Sequence, residues 1–576
     1  MKKTGAEILI DALAQEGVDV LFAFPGGQVI PIFNALYDAK DLKIVLVRHE
    51  QAAAHAAEGY ARATGKVGVC LATSGPGATN LITGIADAYM DSIPIVAITG
   101  QVPTSYIGTD AFQEADLVGI SRPVTKHNYL VKDVRDLPRI FKEAFYIAGS
   151  GRPGPVLIDL PKDVSVATLD NYQYPSSVSI RSYSPTIVGH AKQIEKAAEL
   201  IKNAKKPLIF AGGGVISSGA SAELFELAVK INAPVTLSLM GLGAFPGEHE
   251  LFIGMPGMHG SRTANNALQE TDCIISVGVR FDDRVTGHVG SFAPKAKIIH
   301  LDIDPATISK IVKVAIPVVG DAKNILIALN KILATREVSE WNEQIKKWKG
   351  EKLFSYKHSE KSIKPQFVIE QAYEMTKNKD AIICTEVGQH QMWTAQYYKF
   401  ARPRTFISSG GLGTMGFGLP ASMGAALAQP GKLVLNIAGD GSIQMNIQEL
   451  ATISINRIPV KIIILNNEYL GMVRQWQDLF WDKRYSSTCL RGGFLCKDCK
   501  GPGHCKVKYV PDFVRLAESY SILGLRATKH ADVVPVLTQG LESDGPAVME
   551  FAVTPEENVF PMVPAGKPID QALEEL

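Results

Sequence analysis

This chain of 576 residues has no long hydrophobic run. None of its apolar stretches approaches the roughly 18 to 20 residues that cross a bilayer as a helix, so a helical membrane protein is excluded. An excess of charge of either sign is absent as well. Lys and Arg number 59 and Asp and Glu 58, a net charge of +1, which leaves no basic field for nucleic acid and no polybasic patch for a membrane surface. Cysteine is scarce. Of seven, Cys70, Cys273 and Cys384 stand alone in apolar strand patterns and read as buried small hydrophobes. Nothing resembling a signal or transit peptide precedes the first helix, which opens on a capping box of Thr4 and Glu7. A cytoplasmic protein is the expectation. What the chain does have is 46% hydrophobic and 20% charged residues, the composition of a globular enzyme, and a length that calls for about three domains.

The pattern divides accordingly. Residues 1–168 alternate short apolar strands (Val20 to Phe24, Ile44 to Val47, Val67 to Ala72, Ile95 to Ile98) with helical stretches. Residues 169–186, rich in Ser, Tyr and Pro, read as a linker. A second block, 190–335, places strands at Pro207 to Ala211, Cys273 to Val277 and Lys297 to Leu301. The charged stretch 336–364 reads as another connector, and 365–576 as a third block. The expected fold class is α/β: three consecutive doubly wound domains on parallel sheets.

The sharpest signal lies in the third block. Gly439-Asp440-Gly441 and Asn466-Asn467 are separated by 24 residues. Between them come a helix pattern, Asn446 to Ile453, and a strand, Val460 to Leu465; the strand Lys432 to Ala438 leads in. That is one βαβ unit, whose two strands end at the same sheet edge, where ligands of such sheets bind. Asp440 and Asn467 therefore arrive together as a carboxylate and an amide oxygen, the hard ligands Mg²⁺ takes, with positions left for backbone and phosphate. Glu50 follows a strand and opens a helix. It is placed either for acid–base work at a sheet edge or merely as a first-turn carboxylate favoured by the helix dipole.

Nearly the whole chain resembles the catalytic subunit of acetohydroxyacid (acetolactate) synthases, thiamine diphosphate enzymes. The stretches that carry the resemblance include Phe24-Pro25-Gly26-Gly27, Arg48-His49-Glu50, Ser74-Gly75-Pro76-Gly77-Ala78-Thr79-Asn80 and Gly151-Arg152-Pro153-Gly154-Pro155. They continue through Gly257-Met258-His259-Gly260, Arg280-Phe281-Asp282-Asp283-Arg284, Gly388-Gln389-His390-Gln391, Gly410-Gly411-Leu412-Gly413-Thr414-Met415-Gly416 and Gly471-Met472-Val473-Arg474-Gln475-Trp476. The resemblance implies decarboxylation of pyruvate and transfer of its hydroxyethyl unit to a second pyruvate or to 2-ketobutyrate. The products are 2-acetolactate and 2-aceto-2-hydroxybutyrate, at the first common step of branched-chain amino acid synthesis. The runner-up is another enzyme of the superfamily, a pyruvate oxidase or 2-keto acid decarboxylase. A cofactor-holding sensor without turnover is the rival from another class.

By resemblance, Glu50 addresses the aminopyrimidine of the cofactor, Met415 holds the cofactor bent and Gly413 offers backbone to it; a plain core Met is the alternative for Met415. Gln389, His390, Gly439, Gly441 and Ser442 match the diphosphate site, and Asp440, Asn467 and the Tyr469 carbonyl the Mg²⁺ site. Gly27, Phe112, Gln113 and Lys162 match the substrate funnel, with an ordinary surface lysine as the alternative for Lys162. Met258 and Arg284 reach toward it, Arg284 to grip a keto-acid carboxylate or simply to pair with Asp282 or Asp283. Trp476 favours 2-ketobutyrate as acceptor, or else packs its helix together with Phe480. Gly212-Gly213-Gly214 after a strand is either a dinucleotide turn or a tight turn. The resemblance adds FAD, with Arg152, Gly213, His259, Gly260, Arg280, Asp302 and Asp321 as its contacts and no net redox role. It further implies a homodimer or dimer of dimers, with Glu50 and Asp440 meeting across chains, and a small regulatory subunit.

One segment departs from the family. Between Tyr485-Ser486-Ser487-Thr488 and Pro511-Asp512-Phe513 the chain carries Cys489, Cys496, Cys499 and Cys505, with His504 adjacent, where the family is short and lacks cysteine. The insertion is placed at 489–508. Four thiolates suit a tetrahedral Zn²⁺ site or an iron–sulfur cluster; a redox disulfide and free thiols are the alternatives.

Overall fold

The computed structural model describes residues 2–350, 352–491 and 507–574. Three sheets follow one another along the chain, and every strand pair within them is parallel. This is the three-sheet α/β architecture expected from the alternating strand and helix pattern.

The first sheet runs, from one edge to the other, Lys43–Leu46, Val20–Ala23, Gly68–Ala72, Ile95–Gln101, Val156–Pro161 and His127–Leu130. The third runs Phe406–Ile407, Ile382–Thr385, Val434–Gly439, Val460–Asn466, Ala547–Ala552 and Leu523–Ala527. Counted from each sheet's own first strand, both have the order 2-1-3-4-6-5, so one topology is built twice. The middle sheet has five strands: Val235–Leu237, Pro207–Ala211, Cys273–Val277, Lys297–Asp302 and Ile316–Val319. In all three the order reverses beside the first strand, and the crevice at that point is where open α/β sheets bind ligands. A two-stranded antiparallel ribbon, Lys3–Thr4 with Thr168–Leu169, ties the chain start to the end of the first unit.

Asp440 begins a short helical turn, Asp440–Ile443. One detail of the βαβ reading is corrected. The crossover helix forms over Glu449–Ile455, after a 3₁₀ turn at Gln444–Asn446, rather than from Asn446 onward. The reason is local: Asn446 donates from Nδ2 to the Gly416 carbonyl at 2.7 Å, so its side chain serves a neighbouring turn rather than a helix start.

The first and third units are joined through topologically equivalent helices. Helix Glu50–Thr64 lies between the second and third strands of the first sheet, and helix Gly418–Ala428 between those of the third. The two cross in contact at glycines: a Cβ at Gly59 would lie 2.0 Å from the Ala421 carbonyl oxygen, and one at Gly424 1.9 Å from that of Ala56. Around the crossing one apolar core draws on both units, including Ala53, Ala57, Phe417, Leu419 and Met423.

Charge is buried beside this crossing. The Arg62 guanidinium pairs with Asp91 at 2.8 Å and Glu58 at 3.2 Å and stacks over the Phe417 ring. Glu58 also meets His55 Nδ1 at 3.0 Å. The carboxylate of Asp91 accepts the backbone N–H groups of Gly410 and Gly411, and Asp87 accepts from the Ser409 hydroxyl, so the acids of the first unit fasten the 409–411 turn of the third. Burial pushes Glu58 up to about 8 against the pull of Arg62. It raises Asp87 as well, and it lowers His55.

Gly59→Ala should therefore cost about 3 kcal/mol or more, an overpacking penalty against rigid backbone, read as a lower thermal midpoint with the two units loosened together. A second expectation concerns pH. The folded-state pKa of Glu58 lies above its unfolded value, so its contribution is intact below about 4.5 and is lost as pH rises toward 8. Relative to wild type, Glu58→Gln should gain thermal stability as pH is raised from 5 to 8.

Candidate active site

The residues singled out from the sequence fall at three places. The first is the edge of the first sheet. Glu50 opens its helix behind His49, whose Nδ1 accepts the Gln51 N–H. The Glu50 carboxylate receives the Asn80 amide at 3.0 Å. It lies against the Gly77 turn, where a Cβ would stand 3.2 Å from Oε1. Gly27 borders the Gly26 turn, which is wrapped on Thr73, and the backbone of Gln113 lies against Gly75. Phe112 is 85% exposed. Lys162 is half-buried and begins the turn after strand Val156–Pro161, and the adjacent Asp163 holds Thr104.

The second place is the edge of the third sheet. Strands Val434–Gly439 and Val460–Asn466 pair in register through Gly439 and Leu465, so Asp440 and Asn467 leave the sheet side by side. Asp440 is buried, and desolvation pushes its carboxyl up to about 7 against hydrogen bonds from Tyr509 and from backbone including the Asn467 N–H. The Asn467 amide is locked in place, its Oδ1 accepting the Tyr469 N–H at 3.0 Å and its Nδ2 donating to Gln389 at 3.3 Å. Gln389 itself donates to Gln475 and to the Glu557 carbonyl, both at 2.9 Å. His390 packs on Gly439, where a Cβ would meet its ring at 2.7 Å. Burial lowers His390 to about 3, so it is neutral, and its Nε2 is buried without a partner among the described residues. An unpartnered ring nitrogen beside a Gly–Asp turn fits a bound phosphate group, and Asp440 with Asn467 fits a hard cation. The Ser442 hydroxyl on the same turn donates to Glu386 at 2.9 Å.

Glu386 and Tyr509 escaped the sequence reading. The buried Glu386 carboxylate accepts the N–H groups of Gly416 and Leu419 at 2.7 and 2.8 Å, together with Ser442, and so pins the Met415 turn to the Asp440 turn. Its place right after strand Ile382–Thr385, beside the strand-order reversal, was the available signal. Met415 is half-buried. Gly413, at φ 74°, stands exposed on the same turn. Tyr509 donates to Asp440 Oδ2 at 2.8 Å, and no motif marked it.

The third place is a cavity of about 800 Å³ where all three units meet, within the usual size of a cofactor site. Arg152, Gly213, His259, Arg280, Asp302 and Asp321 line it, as do Met258, Arg284, Gly413 and Trp476. Gly260 lies beside the wall rather than on it. Several of these groups are already engaged: Arg152 donates to Ser92 and pairs with Asp304, Asp302 accepts the Asp304 N–H, and Asp321 caps its helix. His259 is neutral, lowered to about 4 by burial, with Nδ1 facing the Pro561 carbonyl. The exposed Arg284 lies near Asp283 at 3.8 Å and Met258 Sδ at 3.7 Å, so the bland ion pair and the place on the cavity rim are both present. Trp476 and Phe480 touch, ring centroids 5.4 Å apart, while the Trp476 ring also faces the cavity wall.

Of the cysteine group, Cys489 is described; Cys496, Cys499, Cys505 and His504 lie outside the described residues. The strand-like stub Thr488–Leu490 pairs with Glu468–Leu470, and Arg491 binds both Glu468 and the Val507 carbonyl. The described ends of the insertion thus stand on the turn that carries Asn467 and Tyr469.

A duplicated sheet with a phosphate-and-cation edge, and a middle unit with a cofactor-sized cavity, define a thiamine pyrophosphate enzyme. Family models agree: thiamine pyrophosphate enzyme, N-terminal TPP binding domain, matches residues 3–120, the central domain 194–329 and the C-terminal TPP binding domain 386–551. The chain is 49% identical over 572 residues to the acetolactate synthase large subunit of Corynebacterium glutamicum, covering 98% of this chain and 89% of that protein. It is 48% identical over 580 residues to the acetolactate synthase isozyme 3 large subunit of Escherichia coli, covering 99% and 98%. To the probable acetolactate synthase large subunit of Methanocaldococcus jannaschii it is 49% identical over 572 residues, covering 98% and 94%. The chain belongs to the acetolactate synthase large-subunit family.

The Tyr509 hydrogen bond makes a testable claim. Tyr509→Phe should weaken Mg²⁺ binding in the presence of thiamine diphosphate by about 10- to 100-fold, the usual cost of losing a group that orients a metal ligand. Calorimetric titration of the metal reads this directly.

Proposed function

We propose that the chain is an acetolactate synthase catalytic subunit, joining the two-carbon unit of pyruvate to a second pyruvate or to 2-ketobutyrate. The observation that carries the substrate assignment is the meeting of Met258, Arg284 and Trp476 on one cavity beside Gly413. A guanidinium at the rim suits a keto-acid carboxylate, and an indole beside it suits the extra methyl of 2-ketobutyrate.

In this reading Asp440, Asn467 and the Tyr469 carbonyl hold Mg²⁺, and His390, Gln389 and the Gly439–Ser442 turn hold the diphosphate. Glu50 exchanges a proton with the pyrimidine at its carboxylate oxygen, and Asn80 fixes that oxygen's direction. Bound thiamine diphosphate supplies the electron sink that lets pyruvate lose CO₂. Met415 shapes the cofactor seat from the turn that Glu386 holds. Arg152, Gly213, His259, Arg280, Asp302 and Asp321, which line the cavity, would hold FAD, which would have no net redox role. The half built by Gly27, Glu50, Phe112, Gln113 and Lys162 faces the third unit of a second copy, which makes a homodimer the working unit. Exposed Phe112 and Ile455 are apolar groups such an interface would cover. The relatives are named large subunits, and a small regulatory partner is inferred on that ground.

No helix among the described residues is long and apolar enough to cross a membrane. Buried free thiols at Cys70, Cys273 and Cys384 support a reducing, cytoplasmic compartment.

The test is product analysis with thiamine diphosphate, Mg²⁺, FAD and equal pyruvate and 2-ketobutyrate. 2-Aceto-2-hydroxybutyrate in excess of acetolactate is expected, and Trp476→Leu should cut that preference by about tenfold or more. Acetaldehyde, acetate or acetyl phosphate as the main product would overturn the assignment.

A further inference from the structure

The turn that presents Glu50 is not held by its own unit alone. Glu449, fully buried, belongs to helix Glu449–Ile455 of the third unit, yet its Oε1 accepts the Arg48 backbone N–H at 2.9 Å. The His49 N–H faces the same carboxylate and favours its charged form. Its Oε2 is fixed by the Thr452 hydroxyl at 2.7 Å, and that hydroxyl also reaches the Leu46 carbonyl at 3.4 Å. The backbone immediately before Glu50 is thus tied to a carboxylate from another unit, the Arg48 N–H by a hydrogen bond and the His49 N–H facing it. The same short segment also reaches the edge of its own sheet: Gln444 donates to the Asp440 carbonyl at 2.8 Å, and Asn446 to the Gly416 carbonyl beside Met415 at 2.7 Å.

We propose that Glu449 is a positioning residue for Glu50, setting the place of its carboxylate through the Arg48–His49 backbone. The inference rests on the reading of Glu50 as the proton-exchanging group. Hydrogen bonds to a carboxylate are short and strong, so the turn is held more firmly than a neutral contact would hold it. Removing the acceptor leaves the Arg48 N–H without its partner at a half-buried place, and the backbone moves to regain one. Glu50 begins a helix whose far side is packed against rigid backbone at Gly59, so the freedom gained is spent at the Glu50 end. The carboxylate itself touches no substrate in this role; its effect passes through that backbone.

The experiment uses the full chain reconstituted with thiamine diphosphate and Mg²⁺, and follows exchange of the cofactor's C2 proton for deuterium alongside acetolactate formation. Glu449→Ala should slow proton exchange and kcat together by about 100-fold, the cost of a misplaced reacting group. KM for pyruvate and cofactor affinity should stay within about twofold, since neither ground-state contact is touched. Glu449→Gln, which keeps one acceptor oxygen at similar volume, should recover about tenfold of the loss and melt like wild type. In a Glu50→Gln background, Glu449→Ala should cost little more, because both act through one group.

Unchanged proton exchange with weakened cofactor binding would overturn the proposal, as would losses that multiply in the double variant. The underlying reading fails separately: Glu50→Gln exchanging the proton at the wild-type rate would remove Glu50 from the role and this proposal with it.

Discussion

The close crossing of two helices organises this molecule. At Gly59 and Gly424 the backbones of the first and third units touch with no room for a side chain. Dispersion and apolar burial hold that seam, but its stiffness comes from the acids and Arg62 beside it, which bind the 409–411 turn through backbone N–H groups. A buried charge is costly unless each atom of it finds a partner. Here Arg62 pairs with Glu58 and Asp91 inside the first unit, while Asp87 and Asp91 draw further donors from Ser409, Gly410 and Gly411 of the third, so separating the units strips these carboxylates of part of their hydrogen bonding. Everything placed at the two sheet edges inherits its relative position from this seam.

The duplicated topology gives that seam its meaning. Two sheets of identical strand order are joined through equivalent helices, with the contacts at Gly59 and Gly424 made reciprocally on Ala421 and Ala56. Their corresponding edges have diverged in chemistry. One presents a carboxylate on a helix start, Glu50; the other presents Asp440, Asn467 and a neutral His390. Burial raises Asp440 to about 7 and lowers His390 to about 3. Both shifts disfavour charge in the absence of a ligand and favour a site completed by a cation and a phosphate together.

Much of this was legible in the chain. The run Val434 to Asn467 showed its strand, turn and strand because a buried parallel strand is continuously apolar and the Gly-Asp-Gly break is abrupt. Met258, Arg284 and Trp476 were picked from motifs, and the fold brings them to one cavity though more than 200 residues separate the first and last. Glu386, Glu449 and Tyr509 were not found. Each acts by a side chain reaching backbone or a carboxylate distant along the chain, and neither periodicity nor spacing encodes such a contact. The start of helix Glu449–Ile455 was misplaced for the same reason: Asn446 is used for Gly416, a tertiary partner. The cysteine group is divided, with Cys489 on a paired stub and the other three outside the described residues.

That stub has an architectural consequence. Arg491 reaches the Val507 carbonyl at 3.2 Å, so the chain leaves and re-enters at nearly one point. Arg491 and Val507 are therefore held together beside the turn that carries Asn467, and that clamp, rather than the sheet, sets where the two described flanks stand.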